Sequence, residues 1–208
     1  MAVIGITGGA GTGKSFVAKV AAENFDMLHI DTDKLARTQM MPGGASYAGV
    51  AEAFPDCVKC GEIDRTALAD KVFGNRELLE KLNGLTHPNV REAVETLIKT
   101  SEGLFRHVLI ETAILADAGY CPICDAVWFV TAPLEDRKKR LRERGYDEER
   151  IENVIGSQPS DEKYISTSTY VIQNGEAADE ENIIEQIGEA LKETGVEEKE
   201  TEDDDEEE

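Results

Sequence analysis

The sequence predicts an α/β fold in which five parallel strands form one sheet flanked by helices. Short apolar segments alternate with helical patterns along the chain, and this order is typical of parallel sheets. A glycine-rich phosphate-binding motif follows the first apolar segment directly and precedes a helix. The length of 208 residues suits one domain with an inserted lobe. We therefore predict a single nucleotide-binding unit over residues 1–195.

The predicted strands are short and rich in β-branched, aliphatic and aromatic residues, which favour extended backbone. They comprise residues 2–7, 27–30, 107–110, 126–131 and 170–172. The second and third strands are separated by about residues 32–105, far more than one crossover helix needs. This separation predicts an inserted helical lobe.

Three helices are predicted inside the insertion, over residues 65–73, 77–82 and 87–98. Pro88 is expected in the first turn of the third, where its missing N–H costs nothing. A further helical segment, about residues 135–163, is unusually rich in charge. We interpret it as a lid that covers a site.

The strongest functional signal is a phosphate-binding loop (P-loop). The pattern G-x-x-x-x-G-K-[ST] is matched without exception by Gly8, Gly9, Ala10, Gly11, Thr12, Gly13, Lys14 and Ser15. Backbone N–H groups of such a loop surround phosphate oxygens, and the following helix adds its positive dipole end. Lys14 is predicted to bridge the β- and γ-phosphates of ATP, and Ser15 to bind Mg²⁺. The motif alone does not distinguish a GTPase, an ATPase and a kinase.

Charge and hydropathy argue against a nucleic-acid-binding protein and against a membrane protein. The net charge is −21, of which residues 197–208 contribute −9 from ten acidic residues and one lysine. Residues 196–208 are predicted to be a disordered acidic tail, either solvated or used as a docking segment. The remaining chain is acidic too, which argues against nucleic-acid binding. No apolar run is long enough to span a membrane, and the N-terminus lacks a signal peptide, so we predict a cytoplasmic protein.

Other motifs in the chain, together with its length, indicate which class of P-loop protein this is. The chain lacks the Asn-Lys-x-Asp and Asp-x-x-Gly motifs of GTPases, and its length suits a small-molecule kinase better than a motor or transporter ATPase. Asp31 and Asp33 follow the second strand, at the edge where open α/β sheets bind ligands. One of these carboxylates can accept or orient an acceptor hydroxyl. Asp31 can also serve as a helix N-cap.

The predicted lid carries arginines on one helical face. Arg137, Arg140 and Arg144 are spaced i, i+3 and i+7. Guanidinium groups match phosphate oxygens, so a closing lid would deliver cations to ATP and exclude water. The alternative is an amphipathic helix whose charges are solvated.

The order of several later motifs resembles the dephospho-coenzyme A kinase family over nearly all of residues 1–190. Besides the P-loop, the resemblance rests on His29 to Arg37, Gly61 to Arg65 with Leu68, Val72 and Phe73, Leu82-Asn83, Thr86 to Pro88, the Arg140–Arg144 spacing, Gln158, and Val171 to Gly175.

The resemblance implies a three-part kinase whose core binds ATP, whose inserted helices bind dephospho-coenzyme A, and whose lid closes during turnover. It implies that Asp33 activates the ribose 3′-hydroxyl and that Arg65 and His87 contact the acceptor. Arg140 and Arg144 would contact ATP. It further implies that Asn174 and Gly175 lie near the adenine and that Gln158 lies on the lid side.

The chain departs from the family pattern after the third strand. A common Pro-Leu-Leu-Phe-Glu run is replaced by Ala113-Ile114-Leu115-Ala116-Asp117, after Glu111. The roles of Glu111 and Asp117 therefore stay open, and Glu111 either assists Mg²⁺ through water or is structural.

Four cysteines form two C-x-x-C pairs, Cys57 with Cys60 and Cys121 with Cys124. One structural Zn²⁺ held by all four is one hypothesis, although the separation between the pairs is long for such a site. Unliganded or redox-labile thiols are the other. Thioredoxin-like chemistry is disfavoured because neither pair begins a helix in a thioredoxin-like unit.

Two other functions remain open from the residues. Another P-loop metabolite kinase would differ in its acceptor, a nucleoside monophosphate or a small alcohol. A regulatory or scaffold protein would bind ATP without transferring phosphate to a small molecule. The sequence makes no prediction of oligomeric state.

Overall fold

The computed structural model of the chain describes residues 1–115 and 119–195. Seven strands lie in these residues: β1 (Ala2–Thr7), β2 (Met27–Asp31), β3 (Val58–Lys59), β4 (Glu62–Ile63), β5 (His107–Glu111), β6 (Ala126–Thr131) and β7 (Tyr170–Gln173). The helices of the same residues are α1 (Lys14–Asn24), α2 (Thr32–Gln39), α3 (Tyr47–Ala53), α4 (Arg65–Val72), α5 (Arg76–Thr100), α6 (Leu134–Glu143), α7 (Glu148–Gly156), α8 (Asp161–Ile165) and α9 (Glu180–Glu193).

Five strands form one parallel sheet in the order β2-β5-β1-β6-β7. This confirms the predicted fold class. Three strands run one residue further than predicted, and two of these extra residues, Asp31 and Glu111, are register partners on β2 and β5. Ile6 of β1 pairs with Glu111 on the other side. The carboxyl ends of β2, β5 and β1 therefore stand side by side, immediately before the P-loop.

Both faces of the sheet are buried, as expected for parallel strands. On one face, α1 and α9 pack against alternate strand residues such as Ile6, Trp128 and Ile172. On the other face, Val90 and Val94 of α5 pack against the opposite set of strand residues. β1 is buried on both faces and α1 packs on one of them, so both ends of the loop that joins them are anchored in the core.

The insertion has an apolar cluster of its own, formed around Val50, Phe54 and Leu68. It also contains the β3–β4 hairpin, which the sequence analysis did not predict. The prediction of separate helices over 77–82 and 87–98 is wrong, because α5 is continuous and Pro88 lies inside it. Packing of Val90 and Val94 against the sheet keeps the helix running past the proline.

The predicted charged segment is helical, as α6, α7 and α8. It is not wholly peripheral, since Leu141 and Ile151 are buried. Asp117 and the acidic segment 196–208 lie outside the described residues. None of the described helices has the length and apolar character that a membrane span requires.

Candidate active site

The P-loop connects β1 to α1. Gly11 and Gly13 have φ angles of 78° and 83°, a backbone conformation that glycine adopts at little cost. The buried Thr12 hydroxyl donates to the carbonyl of Gly9 at 2.9 Å and closes the loop on itself. Helix α1 begins at Lys14, so its unpaired N–H groups and positive dipole end face the loop. The result is a preformed anion site with the half-buried Lys14 beside it.

Arg140 and Asn174 hold the outer side of this loop. The Arg140 Nη1 donates to the carbonyls of Gly11 and Thr12 at 3.2 and 3.1 Å, and its Nη2 donates to the carbonyl of Asn174 at 2.9 Å. The buried Asn174 amide donates to the Thr12 carbonyl at 2.8 Å. These bonds join helix α6 and the end of β7 to the P-loop.

Arg137 and Gln158 contact Ala10, the P-loop residue that precedes Gly11. The Arg137 Nε donates to the carbonyl of Ala10 at 3.0 Å, and the Gln158 Oε1 accepts the N–H of Ala10 at 2.8 Å. Arg137 also donates to Gln158 at 3.3 Å and lies 3.6 Å from a carboxylate oxygen of Asp161. A Cβ on Gly11 would stand 2.5 Å from the Arg137 carbonyl, so the helix α6 backbone lies against the loop.

These contacts orient the loop. The C=O of one residue and the N–H of the next point in opposite directions across a planar trans peptide. Because the carbonyls of residues 10–12 point outward to side chains, the N–H groups of Gly11 and Gly13 are turned inward. The arginines therefore preorganise the phosphate-binding surface from behind, a role that the sequence analysis did not anticipate.

A buried carboxylate, Glu111, lies on the acidic side of the site. The Ser15 hydroxyl donates to its Oε1, and His29 Nε2 lies 2.8 Å from its Oε2. Burial raises the pKa of Glu111, but the hydrogen bonds from His29 and Ser15 and the charge of Lys14 outweigh it, so the pKa falls below its usual value. Glu111 is therefore ionised at neutral pH, and because a carboxylate only accepts, His29 Nε2 carries the hydrogen.

Replacing Glu111 with glutamine is expected to lower the free energy of unfolding at pH 7 by about 1–3 kcal/mol, because charge-assisted bonds to His29 and Ser15 are lost. A carboxyl with a lowered folded pKa stabilises the protein above its unfolded pKa of about 4.3, and this contribution is lost as the pH falls through the folded pKa. The difference in the free energy of unfolding between wild type and Glu111→Gln should therefore become smaller as the pH is lowered from 6 to 3. Urea unfolding at several pH values measures it.

The control is Glu92→Gln, at an exposed position of α5. It should leave stability nearly unchanged across the same pH range. A Glu111→Gln penalty that stays constant down to pH 3 would contradict an ionised, partnered Glu111.

Asp31 and Asp33 lie at the junction of β2 and α2. Asp31 caps the helix, since its carboxylate accepts the Lys34 N–H at 2.9 Å, and it also lies 3.0 Å from the Lys34 ammonium. Burial raises its pKa, but the bonds and charge of Lys34 outweigh this and the pKa is lowered. Asp33 stands in the first turn of α2 and is exposed, without a hydrogen bond or ion pair among the described residues. The helix-cap role predicted for Asp31 is therefore observed, and Asp33 remains free to meet a ligand.

The other predicted residues are more dispersed. Arg65 begins α4 and is exposed, and His87 is half-buried on α5, which packs against α4. Arg144 is exposed at the end of α6 and makes no hydrogen bond or ion pair within the described part of the chain. Gly175 lies against Pro133 and Asp136 near the start of α6. The structure thus joins the P-loop, Arg140 and Asn174 directly, but not Arg65, His87 or Arg144.

The donor set beside Ser15 fits Mg²⁺. A serine hydroxyl and the carboxylate of Glu111 are hard oxygen ligands in contact with each other, and Mg²⁺ in kinases is completed by waters and substrate phosphates. No group of three or more His, Cys, Asp or Glu in the described residues is arranged to hold a metal by protein ligands alone.

The four-cysteine zinc site, one of the two hypotheses for these residues, is not seen among the described residues, which hold no group of three or more His, Cys, Asp or Glu suited to a metal ion. Cys57 packs in the cluster of the insertion, whereas Cys121 and Cys124 pack on the sheet face that α5 covers. All four are free thiols. The two C-x-x-C pairs therefore belong to separate parts of the molecule, and their shared spacing is not evidence of a shared metal.

A largely apolar pocket of about 210 Å³ opens next to the P-loop. It is lined by residues that include Thr7 at the end of β1, Gln158 before α8, Leu115, Cys121 and Tyr164. Because Gln158 is bonded to Ala10, this pocket adjoins the phosphate-binding loop.

Sequence reasoning missed His29 as a site residue, and it missed the way in which Arg137 acts on the loop. His29 was noted only within a family motif, although a histidine near the end of a strand beside acidic residues is a usable signal. Arg137 was noted for its helical face, but its contact with Ala10 depends on how α6 lies across the loop.

Comparison with known proteins gives a consistent result. A family model described as dephospho-CoA kinase matches residues 2–180. A dephospho-CoA kinase of Moorella thermoacetica is 41% identical over 155 residues, 69% of each chain, and that of Carboxydothermus hydrogenoformans is 35% identical over 178 residues, 83% of this chain and 85% of its own. Among solved structures, TT1252 from Thermus thermophilus superposes with a TM-score of 0.79 at 29% identity, covering 91% of this chain and 95% of its own.

Proposed function

Because this chain belongs to the dephospho-CoA kinase family, we propose that it transfers the γ-phosphoryl group of ATP to the ribose 3′-hydroxyl of dephospho-coenzyme A, giving coenzyme A and ADP. This family carries out the final step of coenzyme A synthesis. The observation that carries the proposal is the P-loop, whose N–H groups are turned inward beside Lys14 while Asp33 stands exposed two residues beyond the strand position that pairs with Glu111.

ATP binds through its phosphates in this proposal. Lys14 and the N–H groups of the loop neutralise the β- and γ-phosphates, and Asn174 and Gly175 lie near the adenine. Mg²⁺, held by Ser15 and through water by Glu111, supplies charge neutralisation at the same phosphates when bound. Little covalent chemistry is required of the protein, so positioning and charge stabilisation provide most of the rate.

The acceptor enters beside α2 in the proposal, with its hydroxyl facing Asp33. Asp31, Glu111 and Ile6 are aligned across three neighbouring strands about 5 Å apart, so the beginning of α2 is about 10 Å from the strand that leads into the P-loop. Asp33 accepts the hydroxyl proton as the oxygen attacks the γ-phosphorus in line with the leaving oxygen of ADP. Arg65 and His87 bind the acceptor from the insertion, which is the acceptor lobe of the proposal.

The helical segment of about residues 135–163 acts as the lid. Arg140 already donates three of its five N–H groups to backbone carbonyls, and its Nε–H and one Nη2–H remain for phosphate oxygens. Arg144, exposed in this structure, would reach ATP when the lid closes. We further propose a cytoplasmic location, where ATP and the acceptor are found.

The two lid arginines are expected to behave differently on replacement. Arg140→Ala should lower the Tm of the nucleotide-free protein by several degrees, because the carbonyls of Gly11 and Asn174 lose the donor that Arg140 provides and that of Thr12 keeps only Asn174. Arg144→Ala should leave that Tm nearly unchanged, since an exposed side chain is removed. Both should raise KM for ATP. Thermal unfolding with and without ATP, together with steady-state kinetics, separates the two effects.

If KM and kcat were unchanged in Arg144→Ala, the proposed contact between Arg144 and ATP would be wrong. An Arg140→Ala variant with wild-type Tm would show that the loop does not depend on this arginine.

A coupled ADP-release assay tests the activity. Purified protein is supplied with ATP, Mg²⁺ and dephospho-coenzyme A, and coenzyme A is identified by mass spectrometry, with Lys14→Ala as the inactive control. ADP release that requires the acceptor, with coenzyme A as product, is the expected result. ATP binding without coenzyme A would overturn the acceptor assignment and favour another metabolite kinase or a regulatory nucleotide-binding protein.

A further inference from the structure

The two C-x-x-C pairs have the same spacing in the sequence but different backbone conformations, a turn in one and a strand in the other. Cys121 begins a 3-10 turn, in which the Cys124 N–H donates to the Cys121 carbonyl at 3.2 Å. Such an i to i+3 turn brings the two Cα atoms within about 7 Å. This separation is in the range that a disulfide bridges, about 4.4–6.8 Å.

The other pair cannot close in this way. Val58 and Lys59 form strand β3, so the two residues that separate Cys57 from Cys60 are extended. At about 3.3 Å per residue, the two Cα atoms are about 10 Å apart, which is too far for a disulfide without backbone movement. The sequence alone could not distinguish these two pairs.

The surroundings of the first pair give its members different roles. Cys121 is partly exposed and lines the pocket beside the P-loop. Cys124 packs onto β1, where its Sγ lies 3.1 Å from the position that a Cβ on Gly5 would occupy. Burial, together with the nearby Cys121 and Asp125, raises the pKa of the Cys124 thiol to about 12. Both thiols are partly buried, but Cys121 lines the pocket and Cys124 packs against Gly5, so a molecule in the pocket meets Cys121 and Cys124 is its neighbour on β1.

We propose that Cys121 and Cys124 form a thiol–disulfide pair in which Cys124 removes the adducts that low-molecular-weight disulfides form on Cys121. The thiolate of Cys121 attacks one sulfur of R–S–S–R, the bond between the two sulfurs breaks, and RS⁻ leaves and takes up a proton. The thiolate of Cys124 then attacks the Cys121 sulfur of the mixed disulfide, and the second RS⁻ leaves. Two protein thiols are oxidised to one disulfide, and one small disulfide is reduced to two thiols.

This exchange keeps the pocket clear. A mixed disulfide on Cys121 would fill space next to Gln158 and the P-loop, whereas the internal disulfide adds no atoms to the pocket. The raised pKa of Cys124 slows its attack, but the turn keeps the Cα atoms of Cys121 and Cys124 within about 7 Å, and such proximity compensates for a low thiolate fraction.

The test uses the reduced full-length chain with oxidised glutathione as the probe, followed by intact-mass and peptide mass analysis without reductant. In the wild type, residues 121 and 124 should become linked, with no glutathione retained on Cys121. In Cys124→Ser, Cys121 should retain one glutathione, at a fraction about ten-fold or more above wild type. Dithiothreitol should reverse both products. The readout does not depend on kinase activity.

The second pair provides a control within the same molecule. Cys60 is exposed, so it should take up glutathione and keep it, because Cys57 is too far away to resolve the adduct. Cys121→Ser should show neither the internal disulfide nor an adduct on Cys124. Circular dichroism and ADP affinity confirm that the serine variants are folded. An equally stable glutathione adduct on Cys121 in wild type and Cys124→Ser, or a 57–60 disulfide formed as fast as a 121–124 disulfide, would overturn the proposal.

Discussion

Asp33→Asn is expected to lower kcat by about 10²–10⁴-fold while ATP affinity changes little, because an amide cannot accept the proton of the attacking hydroxyl. Asp33 is exposed in the first turn of α2 and has no hydrogen bond or ion pair among the described residues, so the folded state should not depend on it. The measurements are kcat for coenzyme A formation and the dissociation constant of ATP by calorimetry.

Asp70→Asn is the matched control for this variant, since it removes an exposed carboxylate from helix α4. It should leave kcat near the wild-type value. If Asp33→Asn turned over at the wild-type rate, Asp33 would not handle the proton, and the carboxylates at the end of β2 and β5 would have to be tested in its place.

Lys14→Ala is expected to lower kcat by about 10²–10³-fold or more and also to weaken ATP binding, because the lost ammonium is proposed to stabilise charge on the β- and γ-phosphates. The residue begins α1 directly after the P-loop and is half-buried beside Glu111. Unlike Asp33→Asn, this variant should therefore affect both kcat and the ATP dissociation constant.

Lys19→Ala, on the same helix, provides the comparison. Lys19 forms an exposed ion pair with Glu23 at 3.6 Å, which contributes little to stability. The Lys19→Ala variant should therefore have the kcat and the ATP dissociation constant of the wild type. Full activity in Lys14→Ala would exclude the proposed phosphate contact, and a similar loss in Lys19→Ala would point to damage of α1 and not to the loss of one charge.

The strands and the P-loop were predictable because their signals are local. Apolar β-branched segments separated by helical patterns identify a parallel sheet. The spacing of the glycine, lysine and serine residues identifies a phosphate-binding loop. Asp31 was correctly assigned as a possible helix cap from its position alone. The continuous helix through Pro88 was not predictable in this way, since its C-terminal half is held by the sheet.

The contacts around the loop depend on distant parts of the chain. Arg137 and Gln158 meet at Ala10, more than a hundred residues away, and no spacing rule connects them. His29 and Ser15 meet on Glu111 because β2 and β1 flank β5 in the sheet. Such contacts are set by strand order and helix placement, which many sequences share and which short motifs do not encode.

The sequence by itself determined the fold class and the phosphate-binding loop, because both rest on residue types at short spacings, and the family, because its motifs follow in order along the chain. The tertiary structure alone decided which arginines support the loop, that Glu111 is buried and partnered, that the two cysteine pairs lie apart, and that a turn joins Cys121 to Cys124. The physical reason is that hydrogen bonds, burial and thiol separation depend on distances between segments, which are defined only after the chain has packed.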